Sequence, residues 1–158
     1  MLDNHETIGA ALGRIPSGCS ILTARHEERS TGLLVSWVQQ AAFEPPLVSV
    51  CLKRGRPVGK LVDASKRFLL NVIGPNPTEM FKHFGKGFSL EEDAFAGLPT
   101  RATEFGMLIE SCIAHLGCEV TQKVPAGDHD LYIGEVVAGG VVDGTSPYTH
   151  IRKTGFSY

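Results

Sequence analysis

Three groups of side chains in this sequence could do ligand chemistry. The first lies in residues 32–46, a mostly apolar run that carries the hydroxyl of Ser36, the amides of Gln39 and Gln40, and the only tryptophan, Trp37. An extended segment of this kind adds backbone donors and acceptors to those side chains, which suits a flat ligand with a hydrogen-bonding edge. The second is the turn Lys53-Arg54-Gly55-Arg56-Pro57, close behind the Pro45-Pro46 exit of that run. A glycine-containing cationic turn suits a phosphate. The third is Gly127-Asp128-His129-Asp130. A histidine flanked by carboxylates can be held oriented and partly charged, as a donor toward an anionic or carbonyl group or as a proton source near neutral pH.

Each group also has an ordinary reading. Basic turns usually face solvent, a histidine in a turn usually meets water, and tryptophan more often fills a core than serves as a cofactor platform. Tyr132, Tyr148, Phe156 and Tyr158 could stack on a ring, although aromatic side chains in strands usually pack inward. Other chemistries find no support. There is no G-x-S-x-G, Walker sequence or G-x-G-x-x-G after a strand, and Ser17-Gly18 has neither P-loop nor nucleophile-elbow context. The six histidines lack H-E-x-x-H spacing and the four cysteines lack C-x-x-C spacing, so buried free thiols and no metal are expected.

The whole chain sets the bounds for these groups. With 158 residues, 42% of them apolar and 20% charged, it suits one globular domain over 1–158 with a real core. A net charge of -2 supplies no global field for nucleic acid or an anionic membrane, so any phosphate affinity must be local. No apolar run reaches the roughly 20 residues of a membrane span, and the first residues lack the pattern of a signal peptide. A cytoplasmic protein is expected.

The elements that must position these groups are mostly strands. Eighteen glycines and nine prolines punctuate short runs rich in Val, Ile, Leu and Thr. The pattern predicts strands over 18–24, 32–40, 47–52, 68–73, 109–123, 130–139 and 148–152. Helices are expected over 4–13, 55–64, with Pro57 in its first turn, and 78–84, after Pro75-Asn76-Pro77. Residues 85–105 read as a long excursion held down by Phe88, Phe95 and Phe105.

Taken in order, Gly13-Arg14-Ile15-Pro16-Ser17-Gly18-Cys19-Ser20-Ile21-Leu22-Thr23, residues 32–46, Phe68-Leu69-Leu70-Asn71-Val72-Ile73, Gly127-Asp128-His129 and Gly134-Glu135-Val136 resemble the flavin reductase-like family, whose fold is the FMN-binding split β-barrel. The resemblance covers nearly the whole chain. Within that family, Met80-Phe81-Lys82-His83-Phe84, Glu92-Asp93-Ala94-Phe95-Ala96-Gly97 and the ending His150-Ile151-Arg152-Lys153-Thr154-Gly155 are most similar to the flavin reductase domain of cyanobacterial flavodiiron proteins.

That resemblance implies a mainly β fold with a few helices and a site matched residue by residue. Ser17, Gly18 and Ser20 fall in the first flavin-contacting strand, while Val35, Ser36 and Trp37 fall where backbone meets the isoalloxazine edge. Gln39 and Gln40 stand where relatives often carry small hydroxylated residues. Lys53, Arg54 and Arg56 match the turn that receives the flavin phosphate, and Asp128 and His129 match the turn on the nicotinamide side. Asp130 replaces a small residue, which implies a carboxylate beside the dinucleotide and weaker binding of it. The implied activity is hydride transfer from NADH or NADPH to FMN, or to FAD in its place, in a homodimer that passes electrons to an acceptor protein. Two other classes stay open: a non-enzymatic flavin-binding electron carrier for a flavodiiron- or monooxygenase-type partner, and a haem-linked function.

Overall fold

The computed structural model describes residues 4–158. Their fold is mainly β, with three helices among the described residues. Seven antiparallel strands form the main sheet: β2 (Ser20–His26), β3 (Arg29–Val35), β4 (Val38–Ala42), β5 (Leu47–Lys53), β6 (Arg67–Val72), β9 (Ala114–Ala126) and β10 (His129–Val141). Short β1 (Ser17–Gly18) pairs with β11 (Thr149–His150), and β7 (Thr100–Ala102) pairs with β8 (Met107–Ile109). The order β3-β2-β6-β9-β10-β5-β4 leaves β3 and β4 as unpaired edges, so the sheet is split between two strands that are consecutive in the chain.

Residue types explain the local choices. In β5 the alternation buries Val48, Val50 and Leu52, which turns Ser49, Cys51 and Lys53 to the opposite face. One face joins the core and the other is left for a ligand. The first five residues of β2 are all buried, as expected of a central strand covered on both sides. Helix α2 (Pro57–Ser65) starts with proline at its first turn and ends at Lys66, whose left-handed φ of 59° lets its N–H close on Val62 O. Its Val58, Leu61 and Val62 recur at helical spacing and pack into the core with Phe68, Leu70 and Tyr132. Helices α1 (Asn4–Leu12) and α3 (Thr78–Phe84) lie close to the ranges expected for them.

Three predicted strands differ in extent. The strand over 32–40 breaks at Ser36–Trp37, because β3 belongs to one edge of the split sheet and β4 to the other and the chain crosses between them. The strand over 109–123 divides into β8 and β9 around a turn closed by Cys112 N–H on Ile109 O. The strand over 148–152 shrinks to β11, since the chain beyond it leaves the sheet and packs on α1 through Gly155 N–H on Gly9 O at 2.7 Å.

The excursion over 85–105 is anchored as expected by aromatic side chains, with Phe95 and Phe105 buried and Phe88 against Phe84. Polar anchors that carried no signal in the pattern assist. Fully buried Asn71 accepts from Ile109 N–H at 2.9 Å and donates to Ile21 O and Met107 O at 3.2 Å each. Both amide donors and one acceptor position are thereby filled, which offsets the cost of its burial.

Candidate functional site

Ser36 and Trp37 bridge the two edges of the split sheet, outside both ladders. Trp37 O is tied to Cys51 N–H at 3.1 Å, which holds the crossing against β5. In front of it opens a cleft of about 280 Å³ with walls from Val35, Ser36, Trp37, Cys51 and Phe81 and with Lys53 and Arg56 as its cations. The lining is mostly apolar with a few convergent polar groups, the usual make-up of a small-molecule site.

Arg56 ends the cationic turn and caps α2 in extended geometry. It also lines an adjoining cavity of about 260 Å³ with Lys86 and Ser89, where Gly87 takes a left-handed φ of 76°. Two cations beside a helix start give this corner a local positive charge. Arg54 points elsewhere: its guanidinium donates to Asp130 at 3.0 Å.

A second cavity of about 370 Å³ adjoins the first, sharing Trp37, Lys53 and Tyr158 with it and lined besides by Asp128, His129 and Arg152. The β9–β10 hairpin explains how His129 reaches it. Gly127 supplies the positive φ of 60° at the first position of a two-residue turn, Asp128 is the exposed tip, and His129 begins β10 opposite Lys53 of β5. His129 is only 8% exposed. Its Nδ1 lies 2.7 Å from Asp128 Oδ1 and its Nε2 lies 2.7 Å from the Tyr158 hydroxyl. A carboxylate only accepts, so Asp128 assigns the proton to Nδ1 and leaves Nε2 to meet the phenol. The same hydrogen bond holds the Asp128 carboxyl below its ordinary pKa.

Trp37 is common to both cavities. The His129 ring centre lies 4.8 Å from that of Trp37, Tyr158 lies 5.7 Å from it, and the Arg152 guanidinium sits 5.1 Å over it. These distances are in the range of aromatic and cation–π contacts.

The expected site residues therefore separate by position. Val35, Ser36, Trp37, Lys53 and Arg56 line the first cleft, and Asp128 and His129 line the second. Ser17, Gly18 and Gln39 line a shallower groove of about 520 Å³ that shares Ser36 and Trp37 with the cleft. Ser20 is buried within β2, paired to Val35 and Val72, and Gln40 donates to Ala42 O at 3.3 Å in its own hairpin. Asp130 does not stand beside His129 as a bare charge. Adjacent strand residues face opposite ways, and Asp130 is paired with Arg54 at 3.0 Å and approached by Lys123 at 3.7 Å. Phe81, Lys86, Arg152 and the ring of Tyr158 join the walls although the pattern of residues gave no site role to the first three.

The flavin reductase like domain family matches residues 12–156. The chain belongs to the flavin reductase-like family. It is 36% identical to a diflavin flavoprotein A of Nostoc and 34% identical to diflavin flavoprotein A 1 of Synechocystis, matches that take in 94% of this chain and 26% of each of those proteins. The chain thus spans about a quarter of the length of these relatives. Among solved structures it resembles nitrilotriacetate monooxygenase component B from Mycobacterium thermoresistibile, with a TM-score of 0.80 at 28% identity over 91% of this chain and 80% of that one. The NADH:FAD oxidoreductase SgcE6 of Streptomyces globisporus shares the fold, with a TM-score of 0.83 at 20% identity over 92% of this chain and 87% of that one. The split sheet is accordingly the flavin reductase fold, as its edges at β3 and β4 indicate. Among the described residues no group of three His, Cys, Asp or Glu could hold a metal ion, and no helix is long and apolar enough to cross a membrane.

Proposed function

We propose that residues 1–158 form one FMN-binding flavin reductase domain that transfers hydride from NADH or NADPH to flavin. The observation that carries this reading is that one apolar, cation-ended cleft adjoins one histidine-bearing cavity, the two sharing Trp37, Lys53 and Tyr158. The first cleft fits a flavin by the chemistry of its lining: apolar side chains for a ring, the Ser36–Trp37 backbone outside the ladders for a polar edge, and Arg56 with Lys86 for a phosphate. Bound flavin would supply the two-electron acceptor chemistry.

What remains for the protein is to hold two rings in reacting geometry and keep water out. Val35, Trp37 and Phe81 shape and dry the cleft, and the cations Arg56 and Lys53 offset negative charge that builds up there. Asp128 fixes the tautomer and plane of His129, whose Nε2 meets the Tyr158 hydroxyl at the wall of the second cavity. FAD in place of FMN, and a homodimer completing the cleft, are part of the same reading; SgcE6 in complex with NAD and FAD fragments has this fold.

A second reading, a flavin-binding electron carrier working with a partner oxidoreductase, is favoured by the match to only a quarter of the diflavin flavoproteins. Anaerobic addition of NADH or NADPH to the flavin-loaded protein divides the two. Bleaching by either donor supports the reductase, and bound flavin that neither donor bleaches sinks it.

A further inference from the structure

His150 is the imidazole in the wall of the first cleft, and it is half-buried there. Its backbone is fixed by the short ladder of β11 on β1, where it lies opposite Ser17, and by Tyr148 N–H closing on Ile73 O at 3.0 Å. Two aromatic neighbours fix the ring: Phe81 of α3 meets it edge-on with centres 6.0 Å apart, and Tyr148 lies 6.3 Å away. Among the described residues neither ring nitrogen has a hydrogen-bond partner, and neither belongs to the buried unpartnered atoms. His129 differs, since both of its nitrogens are engaged. An imidazole held in place with both nitrogens open to the cleft is suited to meet a ligand.

The charges around it add a second observation. Burial and, after it, the Arg152 guanidinium hold His150 below its ordinary pKa, so it is neutral near pH 7. The thiols and the phenol that share the cleft, Cys19, Cys51 and Tyr158, are held up by burial and stay neutral as well. Lys53 and Arg56 complete the charged groups of that wall. A negative charge arriving beside His150 favours the imidazolium and raises its pKa.

We propose that His150 is a flavin-contacting residue that takes up one proton from solvent when the flavin in this cleft is reduced, and so holds reduced flavin more tightly than oxidised. The inference rests on the proposed function for the identity of the ligand. Hydride transfer from the nicotinamide, which is oxidised, brings two electrons and one proton to the ring and leaves it one negative charge. The proton gained by His150 offsets that charge. The pairing is present near neutral pH and is lost as pH rises past the value that the anionic ring gives His150. Near neutral pH the reduced cofactor is then retained rather than released.

The test measures the affinity for FMN and for dithionite-reduced FMN by anaerobic ultrafiltration, at about pH 7 and about pH 9. The reading is the ratio of the two affinities, so a general loss of flavin binding in a variant cancels. His150→Gln keeps a hydrogen-bonding side chain without the charge, and His150→Phe keeps a ring against Phe81 and Tyr148. The titration of the ring itself is common to all three proteins. At the lower pH the natural chain is expected to favour reduced FMN roughly tenfold more than either variant does, the equivalent of one pKa unit, and at the higher pH the three should agree. Ratios that match in all three proteins at both pH values overturn the inference. If they match while NADH or NADPH bleaches bound FMN, His150 has no such role and the reductase reading stands. If the natural chain shows the excess at the lower pH while neither donor bleaches the flavin, the role of His150 stands and the reductase reading fails. If FMN is retained in neither state, both fail.

Discussion

At the scale of single residues, Arg56 and Arg54 illustrate how alike two cations can look in a sequence and how differently they are placed. Arg56 lines the cleft and the corner it shares with Lys86, whereas Arg54 is engaged with Asp130 at 3.0 Å. Arg56→Ala is expected to weaken FMN by roughly ten- to a hundredfold, the worth of one charge-assisted bond, and riboflavin much less. Arg54→Ala should leave both near their original affinities. Flavin fluorescence titrations with the two ligands check this, and equal losses of FMN and riboflavin would show that Arg56 does not read phosphate. The thiols give a second residue-level prediction. Burial pushes Cys112 and Cys118 up to about 12 and Cys19 up to about 11, while Cys51 is only half-buried and lines the cleft. A thiol reagent near neutral pH should modify Cys51 first, and FMN should slow that reaction. Modification of Cys51 at the same rate with and without FMN would place the flavin elsewhere. Asp128 gives a third. Its carboxyl is held below the ordinary value, so its pairing with His129 is complete above the usual carboxylate range and is lost only as pH falls below it. Trp37 fluorescence, which senses the neighbouring His129, should show a transition as pH falls below the usual carboxylate range. Asp128→Asn should abolish the acid transition.

At the scale of elements, the β9–β10 hairpin and the crossing from β3 to β4 carry the site, and the core beneath holds them in register. Phe68 is fully buried in β6, and a Cβ at Gly134 of β10 would lie 2.8 Å from its ring. β10 crosses that ring because Gly134 presents no side chain there. Phe68→Ala is expected to destabilise the fold by about 3–5 kcal/mol, read from urea unfolding, through lost burial and the cavity left behind. A loss under about 1 kcal/mol would mean that the core around β6 and β10 is less tightly packed than its geometry indicates. Much at this scale was legible in the sequence. Turn residues and apolar runs marked the strands, Pro57 marked α2, and Pro75-Asn76-Pro77 preceded α3. Strand breaks were not, because Ser36–Trp37 continues the apolar run of β3 and only pairing on opposite edges of the sheet divides it. Likewise a strand's alternation separates His129 from Asp130, so the local string Asp-His-Asp could not say which carboxylate is the partner. The role of residues 154–158 depended on α1, more than 140 positions away in the chain, and no local pattern records that contact.

At the scale of the whole molecule, a split sheet, a cleft at the split and a histidine cavity that meets the cleft at Trp37 together suit the proposed flavin reductase. Each part answers a separate requirement: a dry wall for a ring, cations for a phosphate, and an oriented imidazole in the adjoining cavity. Family membership makes the flavin chemistry the natural occupant of that geometry. The most direct test of the central claim is the visible absorption of the FMN-loaded protein before and after anaerobic addition of NADH and, separately, NADPH. The account predicts that one donor or both bleach the flavin band at once, and that His129→Ala slows bleaching without releasing FMN. A flavin band that persists with both donors in excess would contradict it.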